Sequence, residues 1–84
     1  MAQVTVRYWA AAKAAAGRVE DVVDAGTVAD ALEQAGRAHG ERLRAVLGAA
    51  SFLVDGVRVS REAAPGRVLA DGAVVEVLPP FAGG

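Results

Sequence analysis

Hydrophobic and polar positions alternate strictly over residues 3–9, near the beginning of the chain. Val4, Val6 and Tyr8 fall on one face of this segment, and Trp9 falls on the opposite face together with polar side chains. Successive side chains of a strand point to opposite sides of a sheet. The pattern therefore predicts a strand with one buried face.

An alanine-rich segment and a second strand are predicted next. Alanine has the highest helix propensity, and Gly17 offers a stop for a helix. Residues 10–17 carry few large side chains, so we expect a short helix or a loop that covers little of the core. The valine-rich residues 18–24 indicate a strand that forms a hairpin with the first one.

The principal helix is predicted to begin at Thr27, with Asp30 three residues later in the position that supports an N-terminal cap. Apolar residues recur at helical spacing after it, namely Val28, Ala31, Leu32 and Ala35. Gly36 weakens this helix without ending it. A break is expected near Gly40, followed by a second, short helical segment that ends at Gly48.

The second half of the chain has the pattern of three more strands. Asp55 and Gly56 lie between two β-rich runs and predict a two-residue hairpin turn. Residues 73–78 alternate again and predict the last strand. Pro79 and Pro80 end it, because proline cannot donate a hydrogen bond to a neighbouring strand.

This order of elements predicts an α+β domain with a β-grasp fold. One principal helix crosses a mixed sheet of about five strands, in which the first and last strands lie parallel in the middle. A ferredoxin-like fold needs a second full helix, and the turn-rich residues 60–72 do not supply one. We assign residues 1–78 to the domain and residues 79–84 to a projecting C-terminal tail.

Composition narrows the possible functions. The 84 residues suffice for one domain and include no cysteine, which excludes disulfides and thiolate chemistry on a side chain. A net charge of −1 lacks the basic footprint that nucleic acid requires. No apolar stretch approaches the ~20 residues that span a bilayer. We therefore expect a cytoplasmic protein that binds neither nucleic acid nor membrane.

The side chains show no catalytic or metal-binding set. His39 is the only histidine, and we expect it at a helix end, facing solvent. Glu20 and Asp21 fall on opposite faces of a strand and cannot converge on one substrate atom. Five acids are interpreted as a solvated surface: Glu20, Asp21, Glu33, Glu41 and Glu62. The chain does not look like a self-contained enzyme.

Trp9 and Leu78 are predicted to form an exposed apolar patch. Val75 and Val77 share the buried face of the last strand, so Leu78 shares the outer face with Glu76. If the first and last strands are neighbours, Trp9 and Leu78 approach one another there, and such a patch usually binds a partner. The alternative is that Trp9 packs on residues 11–16 or on the tail.

The tail is the other candidate site. Two prolines stiffen the exit from the last strand, and glycine has no Cβ, so Gly83 and Gly84 could pass through a narrow channel. The reactive group presented there is the terminal carboxylate of Gly84. A carboxylate needs activation, commonly as an acyl-adenylate made from ATP by another enzyme. The activated acyl group can then accept sulfur as a thiocarboxylate or be joined to an amine.

The chain resembles the small subunit of molybdopterin synthase, a family of ubiquitin-like sulfur carriers. The motifs that carry the resemblance are "VTVRYWAAAKAAAG", residues 4–17, and the more specific "DGAVVEVLPPFAGG", residues 71–84. The resemblance implies that an activating enzyme adenylates Gly84 with ATP and that sulfur is loaded there as a thiocarboxylate. The loaded tail would enter the large synthase subunit and donate sulfur to precursor Z, which becomes molybdopterin.

The resemblance also implies roles for further residues and for the assembly. This chain would be a non-catalytic subunit with no bound cofactor, in a heterotetramer with the large subunit. Lys13 stands where the family commonly has arginine, and lysine cannot make the same bidentate contact. Trp9 and Leu78 resemble interface positions against the large subunit, and Gly83 resembles the glycine that threads its channel. From the tail itself we expect partner-binding roles for four more residues: Pro79 and Pro80 aim the tail, and Phe81 and Ala82 line the channel entrance.

Other assignments of the same fold stay open. Carriers that feed thiamine or cysteine synthesis or tRNA thiolation have the same Gly-Gly end and differ in the sulfur acceptor. A further alternative is a β-grasp module that binds its partner noncovalently through the Trp9 and Leu78 patch.

Overall fold

The computed structural model describes residues 2–80 of the chain. Within these residues the strands are β1 (Ala2–Tyr8), β2 (Glu20–Ala25), β3 (Ser51–Val54), β4 (Val57–Val59) and β5 (Val74–Leu78). The helices are α1 (Ala11–Ala16), α2 (Val28–His39) and α3 (Glu41–Leu47), and a single 3₁₀ turn covers Ala64–Gly66. The turn-rich residues 60–72 thus form no second full helix, as predicted.

The strands form one mixed sheet in the order β2-β1-β5-β3-β4. The first and last strands are parallel neighbours, and Tyr8 of β1 lies opposite Val77 of β5. The other three pairings are antiparallel. This topology confirms the predicted β-grasp fold, with β1 and β5 in the middle of the sheet.

The core lies between one face of the sheet and the helices. Val4, Val6 and Tyr8 of β1 are buried there, as are Val75 and Val77 of β5. The helices cover these side chains with a buried row consisting of Val28, Ala31, Ala35 and Leu43. Complete burial of one such valine or leucine contributes about 1.5–3 kcal/mol. The alternation read from the sequence therefore identifies the buried face of both central strands.

The short helix α1 covers more of the core than its composition predicts. Ala12 is completely buried, and Ala15 and Ala16 pack against the core. The helix contacts both β1 and α3, and Gly17 ends it at a φ of 75°. The expectation that this segment covers little was wrong, because a small side chain lets two backbones approach closely where a large one would not.

The helical boundaries follow the predicted signals. Thr27 Oγ1 accepts a hydrogen bond of 3.1 Å from the Asp30 backbone N–H at the start of α2. The helix continues through Gly36 and breaks at Gly40, where φ is 88°. Gly36 is buried against α3, and a Cβ there would lie 3.0 Å from Arg44 Cγ. This glycine therefore allows α2 and α3 to pack closely.

The predicted hairpin turn between β3 and β4 is also present. Asp55 and Gly56 both have positive φ, at 48° and 84°, which is the conformation of a two-residue turn that follows the twist of the strands. Asp55 Oδ1 also accepts a 3.0 Å hydrogen bond from the Val74 backbone N–H. The turn thus fixes the beginning of β5, the strand that leads to the C-terminus.

Candidate functional site

The candidate site is the face of the sheet that the helices leave uncovered. One row of side chains crosses this face through all five strands, because the register aligns Glu20, Arg7, Glu76, Leu53 and Arg58. Val22, Thr5 and Val74 form the row on one side of it. Val22 is 59% exposed. Charged and apolar side chains are therefore interleaved on one open surface, which we call the open face.

Arg7 forms an ion pair with Glu20 on the open face. Its Nε donates to Glu20 Oε1 over 3.2 Å, and its Nη2 lies 3.1 Å from the same oxygen. Both side chains are about two-fifths exposed, so the pair is solvent-screened and contributes at most about 1 kcal/mol. Its main consequence is geometric, because it draws the Arg7 guanidinium toward β2 and away from Glu76.

Trp9 lies immediately beyond the end of β1. Its backbone N–H donates to the Val77 carbonyl over 3.2 Å, and its indole Nε1–H donates to Glu76 Oε2 over 2.9 Å. The side chain is 44% exposed. Since Glu76 projects from the open face, the indole lies on that face, as the alternation predicts.

Leu78 occupies the corresponding position on β5. Tyr8 and Val77 are the last aligned pair of the two parallel strands, and Trp9 and Leu78 are the next residue on each. Leu78 is half-buried and lies opposite Ser51 of β3. The structure thus brings the two predicted interface residues to neighbouring positions at one end of the open face.

The exit from β5 agrees with the prediction up to Pro80. The strand ends at Leu78, directly before the two prolines. Pro79 is buried and Pro80 is exposed, so Pro80 offers the larger surface to a partner. Phe81, Ala82, Gly83 and Gly84 lie outside the described residues, and their assigned roles stay predictions.

Lys13 projects from α1 near the same end of β1. It is exposed, and it borders a shallow groove together with Ala10, Ala14, Gly17, Arg18 and Val19. Its backbone N–H donates to the Trp9 carbonyl over 3.4 Å, so the first turn of α1 is bonded to the tryptophan backbone. A partner contact by Lys13 stays a prediction.

Sequence reasoning missed a polar cluster at the edge of the core. Tyr8 Oη donates to Asp21 Oδ2 over 2.7 Å, and His39 Nε2 lies 2.5 Å from the same oxygen. The Tyr8 and His39 rings meet edge to face, with centroids 5.8 Å apart. Arg18 Nη1 lies 3.1 Å from Asp21 Oδ1. Four residues from three segments are therefore joined through one carboxylate.

The cluster corrects two expectations. The side chains of His39 and Asp21 are only 16% and 14% exposed, so neither belongs to a solvated surface. The reason is the register of β2, in which Asp21 lies opposite Val6 and therefore points to the same side as the core. The strand alternation of Asp21 and Val23 was the signal that could have placed this acid inward.

Burial and hydrogen bonding change the acidity of two members of the cluster. Burial alone raises the pKa of Asp21, but hydrogen bonds from Tyr8 and His39 and the nearby positive charges outweigh it, so the pKa is lowered. Burial and the bond to Asp21 raise the pKa of Tyr8 well above its usual value. Tyr8 is only 1% exposed, so no substrate reaches its hydroxyl. The cluster is therefore a structural anchor.

Within residues 2–80, no helix is long and apolar enough to cross a membrane. The same residues hold no group of three or more histidine or acidic side chains placed to bind a metal ion.

Solved structures with the same fold come from archaea and bacteria. A protein of Pyrococcus furiosus, described as a candidate molybdopterin converting factor subunit 1, is 26% identical with a TM-score of 0.79, and the alignment covers 96% of this chain and all of that one. Small archaeal modifier protein 1 of Haloferax volcanii is 26% identical with a TM-score of 0.81, covering 98% and 99%.

A third solved structure contains a partner chain. It is the complex of subunits 1 and 2 of the molybdopterin-converting factor of Helicobacter pylori. The match is 22% identical with a TM-score of 0.69 and covers 98% of this chain and 99% of that chain, so it supports the fold alone. A search of curated proteins gave no significant match.

The family comparison covers nearly the whole chain. Residues 6–84 match the model of the ThiS family, and this range contains the last three residues of β1, all of β5 and the two glycines at positions 83 and 84. The chain therefore belongs to the ThiS family.

Proposed function

We propose that this protein is a sulfur carrier that supplies the sulfur of molybdopterin. A separate enzyme would adenylate Gly84: its carboxylate attacks the α-phosphorus of ATP, and pyrophosphate leaves. A sulfide equivalent from the activating system then displaces AMP and leaves a thiocarboxylate. This loaded end would donate its sulfur to precursor Z inside a large synthase subunit.

The observation that carries the proposal is the course of β5. This strand is central in the sheet, it ends at Leu78 beside Trp9, and Gly84 follows only six residues later. An extended chain covers about 3.3–3.6 Å per residue, so six residues reach about 20 Å. When a partner docks on the open face, the terminal carboxylate could therefore reach a site inside that partner up to about 20 Å from Leu78.

The open face has the composition of a transient interface. Trp9 and Leu78 supply apolar area at the end from which the chain leaves β5, and the Arg7 and Glu20 pair supplies polar groups on the same face. Tryptophan and arginine are the residues most often found at energetic hot spots. We expect the large subunit to bind on the open face, in a heterotetramer. The complex of subunits 1 and 2 from Helicobacter pylori supports a partner of this kind.

Membership of the ThiS family favours a sulfur carrier. The identity of the sulfur acceptor has weaker support. The likeness to the Pyrococcus furiosus protein favours molybdopterin. The likeness to small archaeal modifier protein 1 favours a second candidate, in which the activated Gly84 carboxyl is joined to an amine. Carriers for thiamine, cysteine or tRNA thiolation remain alternatives with the same activated end, and a noncovalent binding module needs no activated end at all.

Reconstitution distinguishes these candidates. The thiocarboxylated protein is supplied to the large subunit encoded in the same genome together with precursor Z, and molybdopterin is measured. The proposal expects molybdopterin in proportion to the thiocarboxylate added, and none from a variant that lacks Gly83 and Gly84. Sulfur transfer to another acceptor only, or activity that survives the deletion, would reject it.

A further inference from the structure

The backbone of Trp9 is held firmly while its side chain is nearly half exposed. Its N–H donates to Val77 over 3.2 Å, and its carbonyl accepts from the Ala12 N–H over 3.0 Å. The next residue, Ala10, has a φ of 49°, which turns the chain directly into α1. These contacts fix the Cα of Trp9. They leave the orientation of a large, 44% exposed indole to side-chain contacts.

Glu76 supplies a polar contact that fixes this orientation. The indole has a single N–H, which can only donate, and Glu76 Oε2 accepts it over 2.9 Å. Hydrogen bonds to an ionised carboxylate are stronger than neutral ones. The two residues are 67 positions apart in sequence, so the contact exists only because β1 and β5 are parallel neighbours.

The neighbouring charges leave Glu76 available for this contact. Arg7 is aligned with two acids, Glu76 on β5 and Glu20 on β2. Its guanidinium forms the ion pair with Glu20. On its other side, Glu76 is aligned with the apolar Leu53 of β3. Of the two residues directly aligned with Glu76, only Arg7 is a cation, and its guanidinium is paired with Glu20.

We propose that Glu76 is a positioning residue that holds the Trp9 indole in the orientation in which it binds a partner. The inference rests on the proposed function, because it takes Trp9 as part of the docking interface. A side chain that is already ordered in the free protein loses less conformational entropy on binding, so the complex is more stable. Loss of that order at a single aromatic residue weakens binding roughly two- to tenfold.

The test compares four full-length variants. Glu76→Ala removes the acceptor, and Glu76→Gln keeps an oxygen at the same place. Glu33→Ala removes an exposed acid from α2, on the other side of the sheet, and serves as the control. Trp9→Phe removes the N–H and keeps an aromatic ring. The chain has one tryptophan, so its indole ¹H–¹⁵N signal reports on the contact without overlap.

Two readouts are measured for each variant. The first is the indole N–H chemical shift of the protein alone, for the three variants that keep the tryptophan. The second is the Kd for the large subunit of molybdopterin-converting factor encoded in the same genome. Glu76→Ala should move the indole signal toward that of a solvated tryptophan and weaken binding roughly two- to tenfold. Glu76→Gln and Glu33→Ala should stay close to the unmodified protein in both.

A double-variant cycle separates positioning from direct contact. In the Trp9→Phe background, Glu76→Ala should have little further effect on Kd, because the N–H that Glu76 orients is already gone. An equal loss in both backgrounds would mean that Glu76 touches the partner itself, and an unchanged indole signal in Glu76→Ala would overturn the positioning. If the unmodified protein does not bind the large subunit, the proposed function fails, and the indole signal alone decides whether Glu76 orients Trp9.

Discussion

Replacing Asp21 with alanine removes the acceptor that Tyr8 and His39 share. The Tyr8 hydroxyl is then stranded in the core, since the residue is only 1% exposed. An unsatisfied buried hydroxyl costs about 1–3 kcal/mol, and loss of the contact with His39 adds about 1 kcal/mol. We expect a fall of about 2–4 kcal/mol in the free energy of unfolding. A domain of this length has roughly 4–13 kcal/mol in total.

Urea unfolding followed by far-ultraviolet circular dichroism measures this loss. With a slope of about 1–1.5 kcal/mol/M for a small domain, a loss of about 2–4 kcal/mol lowers the midpoint by about 1.3–4 M. The matched control is Asp24→Ala, which removes an exposed acid three positions along the same strand and should change stability by at most about 0.5 kcal/mol. Adding Tyr8→Phe to Asp21→Ala should recover part of the loss, because no hydroxyl remains to be satisfied. A midpoint for Asp21→Ala equal to that of the control would refute the stabilising role of the cluster around Asp21.

Three further predictions concern pH, the helix cap and the turn. Because the folded-state pKa of Asp21 is lowered, its stabilising effect is complete above about pH 4 and is lost as the pH falls through that folded pKa. The difference in unfolding free energy between the unmodified protein and Asp21→Asn should therefore shrink in acid, and a constant difference would contradict this origin. Thr27→Ala should cost about 1 kcal/mol in chemical denaturation and Thr27→Ser much less, because serine keeps the oxygen that accepts from Asp30. Gly56→Ala should cost about 1 kcal/mol in the same assay, because its φ of 84° is strained for alanine, and an unchanged midpoint would disprove the strain.

Local patterns predict most of the fold. The alternation in β1 and β5 identifies the buried faces, Thr27 marks the start of α2, and the Asp55 and Gly56 pair marks the hairpin. Each of these signals depends on residues that are close in sequence. Such signals determine secondary structure directly and, through the order of elements, the topology.

The contacts that sequence reasoning missed join distant segments. His39 and Asp21 are 18 positions apart, and their contact depends on how the end of α2 lies over the edge strand β2. Ala12 is buried because α1 contacts α3, which its own composition does not indicate. The open face was predicted to carry Trp9, but the bond to Glu76 requires the register between β1 and β5. Side-chain partners of this kind follow from packing and strand register.

The central claim is that Gly84 becomes chemically loaded. The most direct test is the intact mass of the full-length protein after incubation with its activating enzyme, ATP and a sulfur donor, followed by fragmentation of the C-terminal peptide. We expect one oxygen to be replaced by sulfur at Gly84, and no change when ATP is omitted or when Gly83 and Gly84 are deleted. A free carboxylate at Gly84 in the complete mixture would contradict the account.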